Sequence, residues 1–215
     1  MAFDKKQIGR IYRERARRYD ISANLYYLLG LREFAYRKKA VRELNLKPGD
    51  TVVELGCGTG LNFDLLQQRV GPQGHIVGVD LTPAMLDQAR RRIHRNTWNN
   101  ISLVQSDVAA YRFPQGVDGI ISTFALTLVP EYDQVIQSGA VALSSGKRCV
   151  ILDFKKPDAW PEWLVRAYAA FTRPFGVTLD LADRHLWESV RNHMALVGFR
   201  QFYFGAIYLC VGATA

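Results

Sequence analysis

Cysteine is scarce in this chain: three in 215 residues, at Cys57, Cys149 and Cys210, with no paired spacing. That excludes a disulfide scaffold and suggests a reducing compartment. Histidine is almost as rare, and His75, His94, His185 and His193 show no metal-ligand spacing with the cysteines, so no metal is expected. No apolar run reaches the ~18 residues of a membrane span. The longest, from Phe202 to Ala213, is interrupted by Gly205 and reads as two short strands. The N-terminus is charged and shows no apolar signal segment. Glycine-rich repeats and low-complexity linkers are also missing. What remains is an ordinary globular chain, 48% apolar and long enough for one full core.

Positive charge is plentiful but uneven. The net charge is +8, and residues 1–50 hold thirteen Lys and Arg against six Asp and Glu. The excess therefore sits ahead of the rest of the chain, which is nearly neutral. Residues 5–19 read as an amphipathic helix, with Ile8, Ile11, Tyr12, Ala16 and Tyr19 at helical spacing and basic residues between them. Another helix is expected over about 33–44, carrying Arg37-Lys38-Lys39. We read residues 1–48 as a helical extension and 49–215 as one domain.

From Thr51 onward, strands and helices alternate. Strands are expected near 51–56, 75–79, 101–105, 117–123 and 147–154, with helices near 60–70, 83–95, 131–144, 160–172 and 183–197. Pro83 suits a first helical turn with Thr82 as its cap. Two last strands, near 199–204 and 206–212, would add an antiparallel edge. The fold class is α/β, a doubly wound, mostly parallel seven-stranded sheet with an N-terminal helical extension.

The chemistry concentrates where the first expected strand ends. Val52-Val53-Glu54-Leu55 runs into Gly56-Cys57-Gly58-Thr59-Gly60, and the second strand ends in Asp80. Glycines between a strand and a helix permit a tight turn and a close backbone approach to a ligand. An acid at the next strand end accepts from ribose hydroxyls. A dinucleotide fingerprint would need a third glycine where Leu61 or Phe63 stands, so both registers fail. Glu54 would repel a pyrophosphate but suits a cofactor carrying an amino group and a sulfonium.

The pattern resembles the class I S-adenosylmethionine-dependent methyltransferases, with Glu54 to Gly60, Asp80 and Ser106-Asp107-Val108 in order. The resemblance implies S-adenosylmethionine as cofactor and S-adenosylhomocysteine as product. It implies that Glu54, Gly56, Cys57, Gly58, Thr59, Gly60 and Asn62 hold the methionine part and that Asp80 holds the ribose. Leu81 or Met85 would pack on adenine, and Asp107, flanked by Ser106 and Val108, would accept from its amine. The sulfonium already activates the methyl group, so such an enzyme mainly aligns a nucleophile and excludes water. Substrate is expected at the carboxyl ends of the strands, near Ser122, Thr123 and Phe124 and near Asp153 and Phe154. Tyr12 and Tyr19 are candidates to close over the cofactor. Tyr19 and Asp153 are the catalytic candidates.

Within the family, Tyr12-Arg13-Glu14-Arg15-Ala16-Arg17-Arg18-Tyr19-Asp20 is similar to a segment of quinone C-methyltransferases and bacterial lipid N-methyltransferases. Asn62, the run from Ser122 to Pro130, and Asp153-Phe154 with the Trp/Pro-rich stretch after it resemble the betaine-lipid enzymes. Thr123-Phe124 departs from that group's Ser-Tyr, and Ser144-Ser145-Gly146 replaces its Pro-Gly-Gly turn. The expectation is an N-methyltransferase acting on the amine headgroup of a membrane lipid. It would work at an anionic surface, cytoplasmic and peripheral at the inner membrane, with the basic extension, the Arg37 cluster and Trp160, Trp163, Tyr168, Phe171 and Phe175 as contacts. The alternative is C-methylation of a prenylated quinone precursor, with His185 or Asp153 as base, or else methylation of a small molecule or RNA. No nucleic-acid partner is expected, since neither a recognition domain nor an Asn-Pro-Pro-Tyr segment is present.

Overall fold

The computed structural model describes residues 32–157, 160–161, 163, 165 and 184–215. Seven strands form one sheet: β1 (Thr51–Leu55), β2 (His75–Asp80), β3 (Ile101–Gln105), β4 (Val117–Thr123), β5 (Leu143–Phe154), β6 (Ala195–Phe202) and β7 (Ile207–Ala213). Their order is β3-β2-β1-β4-β5-β7-β6. The pairs among β1 to β5 are parallel, and β7 runs antiparallel between β5 and β6. The antiparallel edge expected from the sequence is present as the β6–β7 pair; β7 is the reversed strand, and the outermost strand β6 runs with the parallel set.

Five helices are described: α1 (Glu33–Glu43), α2 (Phe63–Val70), α3 (Pro83–Arg95), α4 (Tyr132–Ala142) and α5 (Leu186–His193). Strands buried on both faces read as continuous apolar runs, which is why β1, β2 and β4 stood out in the sequence. One face packs Val52, Ile76, Ile121 and Val150 against Ala40, Val41 and Leu44 after and within α1, Leu66 of α2 and Leu86 of α3. The other packs Val53, Val79, Ile120 and Ile151 against Ile136 of α4 and Val190 of α5. Thus α1, inside the segment read as an extension, contributes to the core of the sheet.

Several expected boundaries move. α2 starts at Phe63 rather than near 60, because Gly60-Leu61-Asn62 completes the turn. β5 begins directly after α4, at Leu143, and its pairing with β4 shifts register between Val117 and Gly119. The last helix is shorter than 183–197 and yields to β6 at Ala195, where a second register shift lies between Leu196 and Gly198. Thr82 occupies the N-cap of α3, but its side chain makes no cap bond. Its N–H donates to Asp80 Oδ1 at 2.8 Å, so the residue serves the strand end as well as the helix. The expected helix over 160–172 lies outside the described residues except for Trp160, Pro161, Trp163 and Val165.

Strand order reverses between β1 and β4, and a crevice opens beyond the carboxyl ends of such strands. Gly78 of β2 supports the turn that borders this crevice. A Cβ there would lie 2.8 Å from Phe63 Cζ and 3.0 Å from Cys57 Sγ. Gly78→Ala is therefore expected to destabilise the protein by about 1–3 kcal/mol through overpacking, as read from urea unfolding. Stability equal to that of the parent would show that the turn yields.

Candidate active site

A cleft fills the crevice, with about 940 Å³ of empty space counting the part open to solvent. Gly56, Cys57, Gly58 and Thr59 line it from the turn, and Asp80, Leu81 and Met85 from the end of β2 and the start of α3. Asp107 and Val108 line it after β3, and Ser122 and Thr123 at the end of β4. These sequence candidates are brought together. Tyr12 and Tyr19 lie outside the described residues.

The turn is built for close approach. Gly56 has φ +66°, and a Cβ on it would collide with Ala125. Gly58 has φ +55° and faces open space. Cys57 N–H donates to Val79 O at 3.0 Å, prolonging the β1–β2 ladder into the turn. Arg92 of α3 ties the turn from outside, its Nε donating to Thr59 O at 3.0 Å. The Cys57 thiol is buried, and burial first, then Glu54 and Asp80, pushes it well up. It stays protonated, so the residue's backbone serves the site.

Asp80 accepts from Gly58 N–H at 2.9 Å as well as from Thr82 N–H. Burial raises its pKa despite these bonds. Asp107 Oδ1 accepts from Ala109 N–H at 3.0 Å, fixing the carboxyl at the cleft wall. Leu81 is 42% exposed and Met85 2%, and both present apolar surface to the same side. Ser106 lies behind this wall, with its N–H on Asp80 O and its hydroxyl on Asp107 O.

Glu54, Gly60 and Asn62 sit beneath the cleft rather than on it. Glu54 is 1% exposed. Asn62, fully buried, donates from Nδ2 to Glu54 Oε1 at 2.7 Å and to Thr123 Oγ1 at 2.9 Å. It stands at the N-cap of α2 without capping it, because its side chain is committed to Glu54 and Thr123. Glu54 Oε2 and Ser122 Oγ are buried and have no hydrogen-bond partner in the described structure. Burial, the largest influence, pushes Glu54 up to about 8, against the opposing pull of Arg37 and Asn62.

Arg37 departs from the sequence reading. Expected in a surface cluster with Lys38 and Lys39, it is 5% exposed and lines the cleft. Helical spacing turns positions 37, 40, 41 and 44 inward and leaves Lys38 and Lys39 outside. Its NH1 donates to Asn62 Oδ1 at 3.3 Å and to Thr123 Oγ1. Nε and NH2 both reach Glu33 Oε1, at 2.9 and 2.7 Å. The guanidinium lies 5.2 Å from the centre of the Phe124 ring. A buried arginine carries no local sequence mark. Only its i, i+4 relation to Glu33 and its phase with Ala40 and Val41 would have indicated it.

Asp153 requires a correction. It does not line the cleft; it is 1% exposed behind the wall. Its Oδ2 accepts from Thr127 N–H and its Oδ1 from Phe154 N–H, both at 2.9 Å. Burial raises it to about 6 in spite of those donors. It positions the 3₁₀ turn Leu126–Leu128, which Arg184 also holds through Thr127 O at 2.7 Å. His185, the other expected base, is half exposed, stacks on Trp187 at 4.6 Å and likewise does not line the cleft. Phe124, before that turn, takes φ +57° and turns its ring against Phe154 at 4.8 Å. Such a backbone in a non-glycine residue is characteristic of constrained functional loops.

These features fit S-adenosylmethionine. The orphaned Glu54 oxygen suits an ammonium, Asp80 a ribose diol, and the open space at Gly58 a ligand lying along the turn. The raised Glu54 has a consequence for stability. The folded state keeps its proton up to about pH 8, while the unfolded chain releases it near 4.5. The cofactor-free protein therefore loses stability as pH rises across that window. Between about pH 7, above the Asp153 transition, and pH 8, Glu54→Gln is expected to flatten the curve in denaturant titrations. It should also weaken cofactor binding about tenfold or more. A parallel curve would show that Glu54 ionises normally.

Known proteins agree with this geometry. A family model described as "Methyltransferase domain" matches residues 46–190. The chain is 32% identical over 163 residues to 2-phytyl-1,4-naphtoquinone methyltransferase of Thermosynechococcus vestitus, covering 73% of this chain and 71% of that one. It is 29% identical over 197 residues to the ubiquinone/menaquinone biosynthesis C-methyltransferase of Pseudomonas putida, covering 87% and 75%. An arsenite methyltransferase of Halobacterium salinarum also matches, but the chain spans only 30% of its length. Among solved structures, geranyl diphosphate C-methyltransferase from Streptomyces coelicolor superposes with TM-score 0.69 at 15% identity, over 85% of this chain and 76% of that one. With the glycine turn, the two strand-end acids and the reversed β7 all in place, the chain belongs to the class I S-adenosylmethionine-dependent methyltransferases and is an enzyme of that family.

Proposed function

We propose that the methyl acceptor is an amphiphile with a largely apolar body. The observation that carries this is the wall opposite Asp80. Phe124, Ala125, Leu126, Leu128 and Val129 line the cleft there and present almost only apolar surface. Against such a wall an apolar acceptor gains the hydrophobic term and water is excluded from the transfer.

The cofactor brings an activated methyl on a cationic sulfur. The chain's own residues do the rest. Glu54 and the glycine turn anchor the amino-acid end, and Asp80 takes the ribose hydroxyls. Leu81 and Met85 hold the base, and Asp107 accepts from its amine. Asp153 and Arg184 keep the 126–128 turn against the acceptor, so that the nucleophile stays in line with the methyl.

The first candidate is the ring carbon of a prenylated quinone precursor. Relatives matched over most of this chain are named for quinone C-methylation. Neither Asp153 nor His185 lines the cleft among the described residues, so this reading takes an acceptor whose ring hydroxyl ionises without them. A second reading is N-methylation of an amine headgroup on a membrane lipid. It is favoured by the placement of Ser122 to Val129, the segment similar to the betaine-lipid enzymes, at the acceptor wall. The basic segment 5–19 offered as its membrane contact lies outside the described residues. Among the described residues no helix is long and apolar enough to cross a membrane.

The discriminating experiment is transfer of radiolabel from S-adenosylmethionine to a total lipid extract. Label in the quinone fraction supports the first reading, and label in a polar-lipid spot the second. Absence of label from both, with protein that still binds the cofactor, overturns the amphiphile proposal. In the same assay Asp80→Ala is expected to weaken cofactor binding by about 1–3 kcal/mol, because ribose hydroxyls lose their acceptor. Unchanged affinity would remove Asp80 from the site.

A further inference from the structure

Three large apolar side chains stand in solvent at the end of the sheet where the cleft opens. Leu81 follows β2 and lines the cleft itself. Phe34, 63% exposed, lies in the first turn of α1, whose other end leads into β1. Phe204, 83% exposed, lies between the end of β6 and the start of β7. Tyr36 of α1 stacks on Phe202 of β6 with ring centres 4.8 Å apart, and Lys39 Nζ lies 4.9 Å from the centre of the same ring. The start of α1 and the tip between β6 and β7 are thus one packed unit beside the mouth of the cleft.

Packing within the chain does not account for this tip. Tyr203 and Phe204 take φ +49° and +53°, two bulky residues in succession in the left-handed region, which is a costly backbone. The Phe204 ring is left in solvent, so burial does not offset that strain. The charges nearby are mostly positive. Arg32, Lys38, Lys39 and Lys156 are exposed, against Asp64 at the start of α2, and Glu33 is taken up by Arg37. Lys156 is placed at the tip by its neighbour Pro157, whose Cβ would lie 3.9 Å from a Cβ on Gly205. Separate protruding rings among cations suit an interface that is apolar beneath and anionic above, and a fluid one needs no pocket matched to each ring.

We propose that Phe34 and Phe204 enter the surface of an anionic bilayer while Lys38, Lys39 and Lys156 meet its phosphates. The sheet then stands with its carboxyl ends toward the lipid, and an apolar acceptor reaches the wall at Phe124 to Val129 without crossing water. The strained tip is the device that holds a ring outward for this contact. Docking concerns the side from which the mouth is reached and holds for either acceptor, so it is tested without any methyl transfer.

The test is co-sedimentation of the full chain with vesicles of phosphatidylglycerol and phosphatidylcholine, compared with vesicles of phosphatidylcholine alone. Every variant keeps residues 1–31, so a difference reports the tip and not that basic segment. The parent should partition to the anionic vesicles. Phe204→Gly should lower that partition about tenfold or more by removing a buried ring. Its stability in urea should equal or exceed the parent's, because glycine accepts the same φ without strain. Phe34→Ser should act in the same direction, and the pair Lys38→Gln with Lys156→Gln should cost about tenfold at low salt. In Phe204→Trp, nitroxide-labelled lipid should quench emission beyond the quenching seen in the parent. Vesicle binding unchanged in both Phe204→Gly and Phe34→Ser overturns the proposal, as does a Trp at 204 that the labelled lipid does not quench. Self-association that Phe204→Gly abolishes while vesicle binding persists would assign the tip to a second copy of the chain and overturn it equally.

Discussion

The site depends on one buried carboxylate. Glu54 ends β1 inside the protein, where an unassisted charge is costly, and the surroundings answer it with polar groups from three separate elements. Asn62 comes from the start of α2, Thr123 from the end of β4 and Arg37 from α1. These four side chains fasten the glycine turn, the switch point of the sheet and the N-terminal helix to a common centre. Oε2 has no partner among the described residues, so it is the point at which a donor would join the assembly. Within it, an amino-acid end would be bound by completing a network rather than by filling a void.

The opposite wall follows a different logic. Its segment after β4 carries a strained Phe124 and a single 3₁₀ turn, which offer few backbone bonds of their own. It is held instead from behind, by the Asp153 carboxylate on Thr127 N–H and by Arg184 on Thr127 O. Polar groups act there as ties and leave the face toward the ligand apolar. One end of the cleft is therefore polar and specific, and the other is apolar and shaped by loop geometry.

Much of this was legible in the sequence, for physical reasons. Parallel strands buried on both faces announce themselves as apolar runs, so β1, β2 and β4 fall within a residue or so of expectation. The glycine turn and the strand-end acids could be read because their chemistry restricts residue type. The misreadings have a common cause. Arg37 reads as a surface charge because neighbouring basic residues mask its helical phase. Asp153 reads as a catalytic group because a strand-end acid looks the same in sequence whether it faces the cleft or the loop behind it. The boundaries at Leu143 and Ala195 shifted because sheet pairing with a register irregularity, a non-local term, overrode local turn and helix signals.

Cys57 illustrates what the packing of the turn implies. Its thiol lies between the cleft floor and β2, close to where Gly78 has no side chain, and burial keeps it protonated. Cys149 and Cys210 are equally buried within the sheet. The nucleophilic form of a thiol is the thiolate, so none of the three reacts readily while its surroundings stay closed. Cys149 and Cys210 become accessible only when the sheet opens, whereas Cys57 needs no more than a local opening of the turn. The chain thus carries its own clock for breathing of the cofactor loop, set apart from global unfolding by which cysteine is modified first.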